Sequence, residues 1–163
     1  MKYLKTFENK LFDEFVRILD EFGIIMKKFM EDFFENQLEE YNMKVIRLNP
    51  NSASLILRME GETDLNPILN VYLYNYAKSN IKNLREQVYK LQISRRYTTN
   101  DTFNFKLKKF EKYINSLIMI ENDITHITIN YEKKISIDEL REVISKLNME
   151  EYELFQDVNK YNL

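Results

Sequence analysis

Between Thr6 and about Tyr41 the residues Leu11, Phe15, Ile18, Phe22, Ile25 and Phe29 recur at alternating spacings of four and three. That period places them on one face of an α-helix. Phe12, Leu19, Met26 and Phe33 follow one another at intervals of seven and widen the stripe. A stripe this broad faces a core or seams two copies together, so a homodimer through the long N-terminal helix is one expectation. At ~1.5 Å per residue the helix would be roughly 50 Å long, more than a domain of this size needs, and Gly23 marks where it would kink or break. Its other side is acidic, because Phe7–Tyr41 holds ten acidic and four basic residues, a local charge of −6.

The period then changes to two. VIRL, the turn Asn49–Ser52 and ASLILRM predict a β-hairpin, with Pro50 and its Asn neighbours supplying the turn. ILNVYLYNY predicts a third strand beyond a Gly61–Pro67 loop. From Ser79, a fitting N-cap, Ile81, Leu84, Val88 and Leu91 return to helical spacing. Arg95–Thr102 is a loop by composition, and Phe103, Leu107, Phe110, Ile114 and Leu117 open a further helix, although FNFKL could also begin as a strand. Asp123–Lys133 alternates β-branched residues and predicts a fourth strand. Ser136 and Glu139 match a capping box that opens a helix through Leu147, and a last helix spans roughly Met149–Lys160 after Asn148. The expected fold is therefore a single α+β domain over 1–163. A small antiparallel β-meander of three strands, with a fourth added, packs against the long N-terminal helix, and further helices lie in the C-terminal half.

Composition narrows the chemistry. A chain of 163 residues can bury roughly two-thirds of the surface its unfolded form exposes. With two Gly and two Pro it has little material for a phosphate-cradling loop, which argues against Rossmann and P-loop folds. Without cysteine there are no disulfides, thiolate metal sites or cysteine nucleophiles. No apolar run approaches the ~18 residues needed to span a bilayer, and the N-terminus lacks a signal-peptide core, so a cytoplasmic location with no membrane contact is expected. The richness in Lys, Asn and Ile suggests an AT-rich coding sequence, as in low-GC bacteria and mobile elements.

Enzymatic candidates are thin. His126 in THITIN is half of the His-x-Thr pair that two-histidine phosphoesterases use, but the chain has a single His and therefore no second motif to serve as acid to its base. The carboxylate pairs Asp13/Glu14, Asp20/Glu21, Glu31/Asp32 and Glu39/Glu40 recur along the outer side of one helix, which is how a solvated face looks, whereas metal-dependent nucleases gather carboxylates from several elements. No cofactor and no metal site is expected.

The charge map stands above this background. Lys78–Lys112 holds ten basic residues against three acidic, a local charge of +7, and Glu121–Leu163 returns to −5. If the helix from Ser79 runs on, Lys78, Lys82, Arg85, Tyr89, Gln92 and Arg96 form one ridge opposite Ile81, Leu84 and Val88. A tyrosine inside a basic ridge could stack on a base while its neighbours meet phosphates. Lys106, Lys108, Lys109 and Lys112 repeat the theme on the next helix. The contact candidates are thus Lys78, Lys82, Arg85, Tyr89, Arg95, Arg96, Tyr97, Lys106, Lys108, Lys109 and Lys112.

The pattern suggests a non-enzymatic interaction protein: an accessory factor or inhibitor, for example from a mobile element, that binds an acidic surface of a nucleic-acid-handling protein through a basic helix-loop-helix surface. Direct nucleic-acid binding by the same ridge is the alternative, against which the sequence pI near 5.6 weighs. A phosphoesterase-like enzyme using His126 is the third reading. The bland reading is a lysine face that confers solubility or pairs with the chain's own acidic helix.

Overall fold

The structure, a computed structural model, describes residues 2–48, 54–61, 67–75, 88–118 and 128–161. Over these residues it has the expected α+β architecture: a five-stranded sheet with the described helices on one side. The Asn49–Ser52 turn, the expected helix start at Ser79 and His126 lie outside the described residues.

The first helix, α1 (Lys2–Phe34), runs unbroken through Gly23. Its stripe from Phe15 to Phe34 is buried against the chain's own sheet and helices, and Ile24 is exposed on its outer side. Gly23 does not kink the helix. It lets α1 approach the sheet, because a Cβ there would come within 2.7 Å of Leu55 Cδ2 and 2.9 Å of Arg47 Nε. A short helix, α2 (Asn36–Glu40), and a turn at Asn42, whose φ of 58° an Asn tolerates, lead into the sheet.

The strands are β1 (Lys44–Arg47), β2 (Ser54–Glu60), β3 (Leu69–Asn75), β4 (Val88–Arg96) and β5 (Thr128–Ser136). They follow one another in chain order, each antiparallel to the next. Inward-facing residues alternate along them: Leu55, Leu57 and Met59 on β2, Leu69, Val71 and Leu73 on β3, Tyr89, Leu91, Ile93 and Arg95 on β4. The opposite face, with Ile56, Arg58, Asn70, Tyr72, Gln92 and Ser94, is partly exposed. This alternation is the signature of an antiparallel sheet covered on one side.

Two expectations change here. The sheet has five strands where three and a fourth were expected, and the added one is β4, which the helical spacing from Ser79 assigned to a helix. Leu91 satisfies both periods, but Tyr89, Leu91, Ile93 and Arg95 alternate strictly and fill the slot between β3 and β5, with Tyr89 opposite Asn75 on one side and Ile135 on the other. A strand supplied with two partners and a buried face prevails over helix propensity. The ridge running through Tyr89, Gln92 and Arg96 therefore does not exist: Gln92 and Arg96 face the open side of the sheet, and Tyr89 faces the core. Among the described residues the Tyr89 hydroxyl has no hydrogen-bond partner. Burial raises its pKa above the ordinary tyrosine value, offset by Arg141 and reinforced by Glu14. Removing an unpartnered buried hydroxyl relieves a desolvation penalty, so Tyr89→Phe is expected to raise stability by about 1 kcal/mol, read as a higher urea midpoint at unchanged slope.

The cap chemistry holds as expected. Ser136 accepts a hydrogen bond from the Glu139 N–H at 3.2 Å and opens α4 (Ile137–Ser145); Asn148 Oδ1 accepts from the Glu151 N–H at 2.9 Å and opens α5 (Met149–Tyr161). α1 lies across β1 to β3, α4 covers β4 and β5, and α3 (Asp101–Ile118) joins α1 and α5 through an aromatic cluster. There Phe33 meets Tyr152 edge to face at 4.8 Å, and Phe110 stacks on Phe29 at 5.8 Å. Among the described residues no helix is long and apolar enough to cross a membrane.

Candidate interaction site

The lysines that remain on one surface belong to α3, and the loop before it fixes their direction. β4 ends at Arg96, and Thr98 and Asn104 then lock together. Asn104 Oδ1 accepts from the Thr98 N–H at 2.8 Å, and its Nδ2 donates to the Thr98 carbonyl at 2.7 Å. Asn100 Oδ1 caps the helix by accepting from the Phe103 N–H at 2.9 Å. FNFKL is thus helical. Phe103, Leu107, Phe110, Tyr113, Ile114 and Ile118 turn into the core, which leaves Phe105, Lys108, Lys109 and Lys112 outward.

Three of the α3 lysines lie over aromatic rings. Lys109 Nζ sits 4.7 Å from the Phe105 centroid, Lys108 Nζ 5.4 Å from Tyr97 and Lys106 Nζ 5.8 Å from Phe33. Among the described residues none of Lys106, Lys108, Lys109 and Lys112 pairs with a carboxylate. Among the described residues no carboxylate of α1 pairs with them; Glu14 pairs with Arg17, Glu31 with Lys27, and Asp20 with Arg47 of β1.

Between α3 and α5 runs a groove made of two adjoining concavities of about 310 and 490 Å³. They share Lys109, Tyr152 and Gln156. Phe33, Phe105, Met149, Tyr152 and Phe155 provide apolar lining, while Lys106, Lys109, Lys112 and Lys160 bring positive charge to its edges, with Glu35 and Asp157 as the opposing carboxylates. Burial pushes the Tyr113 hydroxyl beneath it up to about 12, with Glu151 adding to the shift, and raises Tyr152 as well. Both phenols are therefore neutral at physiological pH and put no negative charge under the lysines. The Tyr113 hydroxyl donates to the Lys146 carbonyl at 2.6 Å, and Gln156 Nε2 donates to the Tyr152 hydroxyl at 2.8 Å, so the floor is held by its own hydrogen bonds.

The other contact candidates go elsewhere. Lys78, Lys82 and Arg85 lie outside the described residues. Tyr89 is in the core. Arg95 is buried, its Nε donating to Glu111 Oε2 of α3 at 2.6 Å and its guanidinium 3.9 Å from the Tyr97 ring. Among the described residues Arg95 and Glu111 are the charged side chains that are buried. Arg96 is half-buried on the open side of the sheet, and Tyr97 is half-buried between Arg95 and Lys108. Burial raises the Tyr97 pKa, with Arg95 opposing and Glu111 adding.

Phe105 is the functional candidate that the sequence reading passed over. It is 63% exposed among lysines, and its position off the Phe103–Leu107–Phe110 stripe is the signal that marks it. Tyr152 and Phe155 carry no comparable signal, because only tertiary packing brings them to α3. No family model, curated protein or solved structure matches this chain.

Proposed function

We propose that this chain is a non-enzymatic interaction protein that holds an acidic amphipathic segment of a partner protein in the α3–α5 groove. The observation that carries the reading is the row of α3 lysines that, among the described residues, have no carboxylate partner and lie beside an apolar floor. An apolar side chain of the partner fills the concavity at Phe105 or Phe155, and its carboxylates meet Lys106, Lys109 and Lys112. The apolar contact supplies affinity, and the lysines supply steering and specificity. An accessory factor or inhibitor that caps an acidic region of a nucleic-acid-handling protein would work this way.

A second reading has an observation of its own. Phe105, exposed beside Lys109 on the helix that also bears Lys108 and Lys112, has the chemistry of a base-stacking residue within a phosphate-binding surface.

Capture from the native host by wild type and by Lys108→Glu/Lys109→Glu/Lys112→Glu, with and without nuclease, separates these. All three substituted side chains are exposed, so circular dichroism should be unchanged. The expected result is a nuclease-resistant protein partner, released by polyglutamate, whose capture falls at least about tenfold in the triple variant. Equal capture by the two proteins refutes the groove. Capture of nuclease-sensitive material alone replaces the first reading with the second.

A further inference from the structure

The outward side of α5 carries two adjacent stripes. Leu154 and Val158, four residues apart, are 54% and 59% exposed, an unusual pair of large apolar side chains on a helix whose other face already packs against the core. Beside them Glu150, Glu153 and Asp157, all exposed, follow at spacings of three and four, with Asp157 at the rim of the chain's own groove. They form a carboxylate row about 10 Å long at 1.5 Å per residue. Lys106, Lys109 and Lys112 follow at spacings of three and three, a row of about 9 Å on the same measure. An apolar stripe flanked by carboxylates is the complement of an apolar floor flanked by lysines, and both belong to this chain.

From this match we infer that the groove also accepts a second copy of the chain, whose α5 lays Leu154 and Val158 against the Phe105–Phe155 floor and sets Glu150, Glu153 and Asp157 against Lys106, Lys109 and Lys112. Because α5 forms one wall of the groove and also bears the stripe, two copies related by a twofold axis beside α5 satisfy both contacts at once, and the assembly closes as a dimer. The contact patch is small, so the dimer is weak and depends on concentration and salt. It rests on the same groove as the proposed function and adds regulation to it: self-association covers the surface the partner needs, so the partner is bound by the monomer.

Sedimentation velocity of the full chain from about 5 to about 500 µM, in about 50 mM and about 500 mM salt, tests this. The expected result is a mass that rises from 19.9 kDa toward twice that value with concentration, with an apparent dissociation constant at least about tenfold weaker at high salt. Leu154→Glu/Val158→Glu should remain monomeric throughout, as should Lys109→Glu/Lys112→Glu. Adding Glu153→Lys/Asp157→Lys to the lysine variant should restore association, a rescue that general loss of structure could not produce. Ile24→Glu, on the far side of α1, should associate as wild type does. A wild type that stays monomeric at the highest concentration overturns the inference, and so does association that survives Leu154→Glu/Val158→Glu. Partner capture by the Leu154→Glu/Val158→Glu protein keeps the two readings apart. A monomeric wild type that still captures its partner through the lysines removes the dimer alone, and a dimer without lysine-dependent capture removes the partner reading alone.

Discussion

Arg95→Met is expected to lower the stability of this chain by about 3–5 kcal/mol, a large part of the roughly 5–15 kcal/mol that separates folded from unfolded domains. Arg95 projects from the inward side of β4 to Glu111 on α3, and the two side chains are 0% and 1% exposed. Removing the guanidinium takes the 2.6 Å donor away from the Glu111 carboxylate in the core, and loss of a charged partner by a buried charge is among the more destabilising changes a core can suffer. Glu111→Leu should cost about as much by taking the 2.6 Å acceptor away from the guanidinium in turn. The double variant Arg95→Met/Glu111→Leu should lie within about 1–2 kcal/mol of wild type, since replacing both charges by apolar groups of similar size avoids the desolvation that the pair must overcome. Urea denaturation of the four proteins gives the coupling directly. Two single variants as stable as wild type would show that water reaches the pair. The same geometry limits how the basic surface can be probed: Arg95→Glu places two carboxylates together in the core, so any loss of binding it causes reports on folding. Substitutions at Lys108, Lys109 and Lys112 report on the surface.

Arg95 also shows where sequence reasoning reaches its limit. Its neighbours Arg96, Tyr97 and Thr98 have the composition of a loop, and an arginine amid other basic residues is expected on the surface. Two facts remove it from there: β4 continues to Arg96, and the inward alternation of Tyr89, Leu91 and Ile93 carries on to residue 95. Both depend on β3 and β5 being in place, which no local window contains. Where the determinants are local, the sequence is read correctly. The α1 stripe, the alternation of β2 and β3, the Ser136 capping box and Asn148 ahead of α5 all depend on residues within a turn or two of one another. The candidate site divides along the same line. Lys108, Lys109 and Lys112 are legible because they lie opposite Phe103, Leu107 and Phe110 on one helix, whereas the groove beside them needs Tyr152 and Phe155 from the far end of the chain.

Gly23→Val should destabilise the fold by about 2–4 kcal/mol, and the cause lies in packing between layers, not in helix geometry. Glycine inside a helix costs about 1 kcal/mol relative to alanine, so with nothing else at stake a larger residue would be welcome at a position in the middle of α1. The obstacle is β2. A Cβ at residue 23 would come within 2.7 Å of Leu55 Cδ2 and 3.3 Å of Leu55 Cδ1, and Leu55 is itself 1% exposed with little room to turn. It would also come within 2.9 Å of Arg47 Nε, whose guanidinium pairs with Asp20 one turn earlier on α1. Valine, with two γ-carbons and a restricted χ1, cannot avoid both neighbours. Alanine divides the two effects: in the wild-type background its helix propensity and its clash oppose each other, so Gly23→Ala should change stability by less than about 1 kcal/mol. In a Leu55→Ala background the obstructing methyls are gone, and the same substitution should then stabilise by about 1 kcal/mol. Urea midpoints of Gly23→Ala, Leu55→Ala and their double variant supply the test, because a close approach between α1 and β2 requires the pair to be non-additive in this direction. Strict additivity, with Gly23→Val tolerated, would mean that α1 sits farther from the sheet than the distances to Leu55 and Arg47 require.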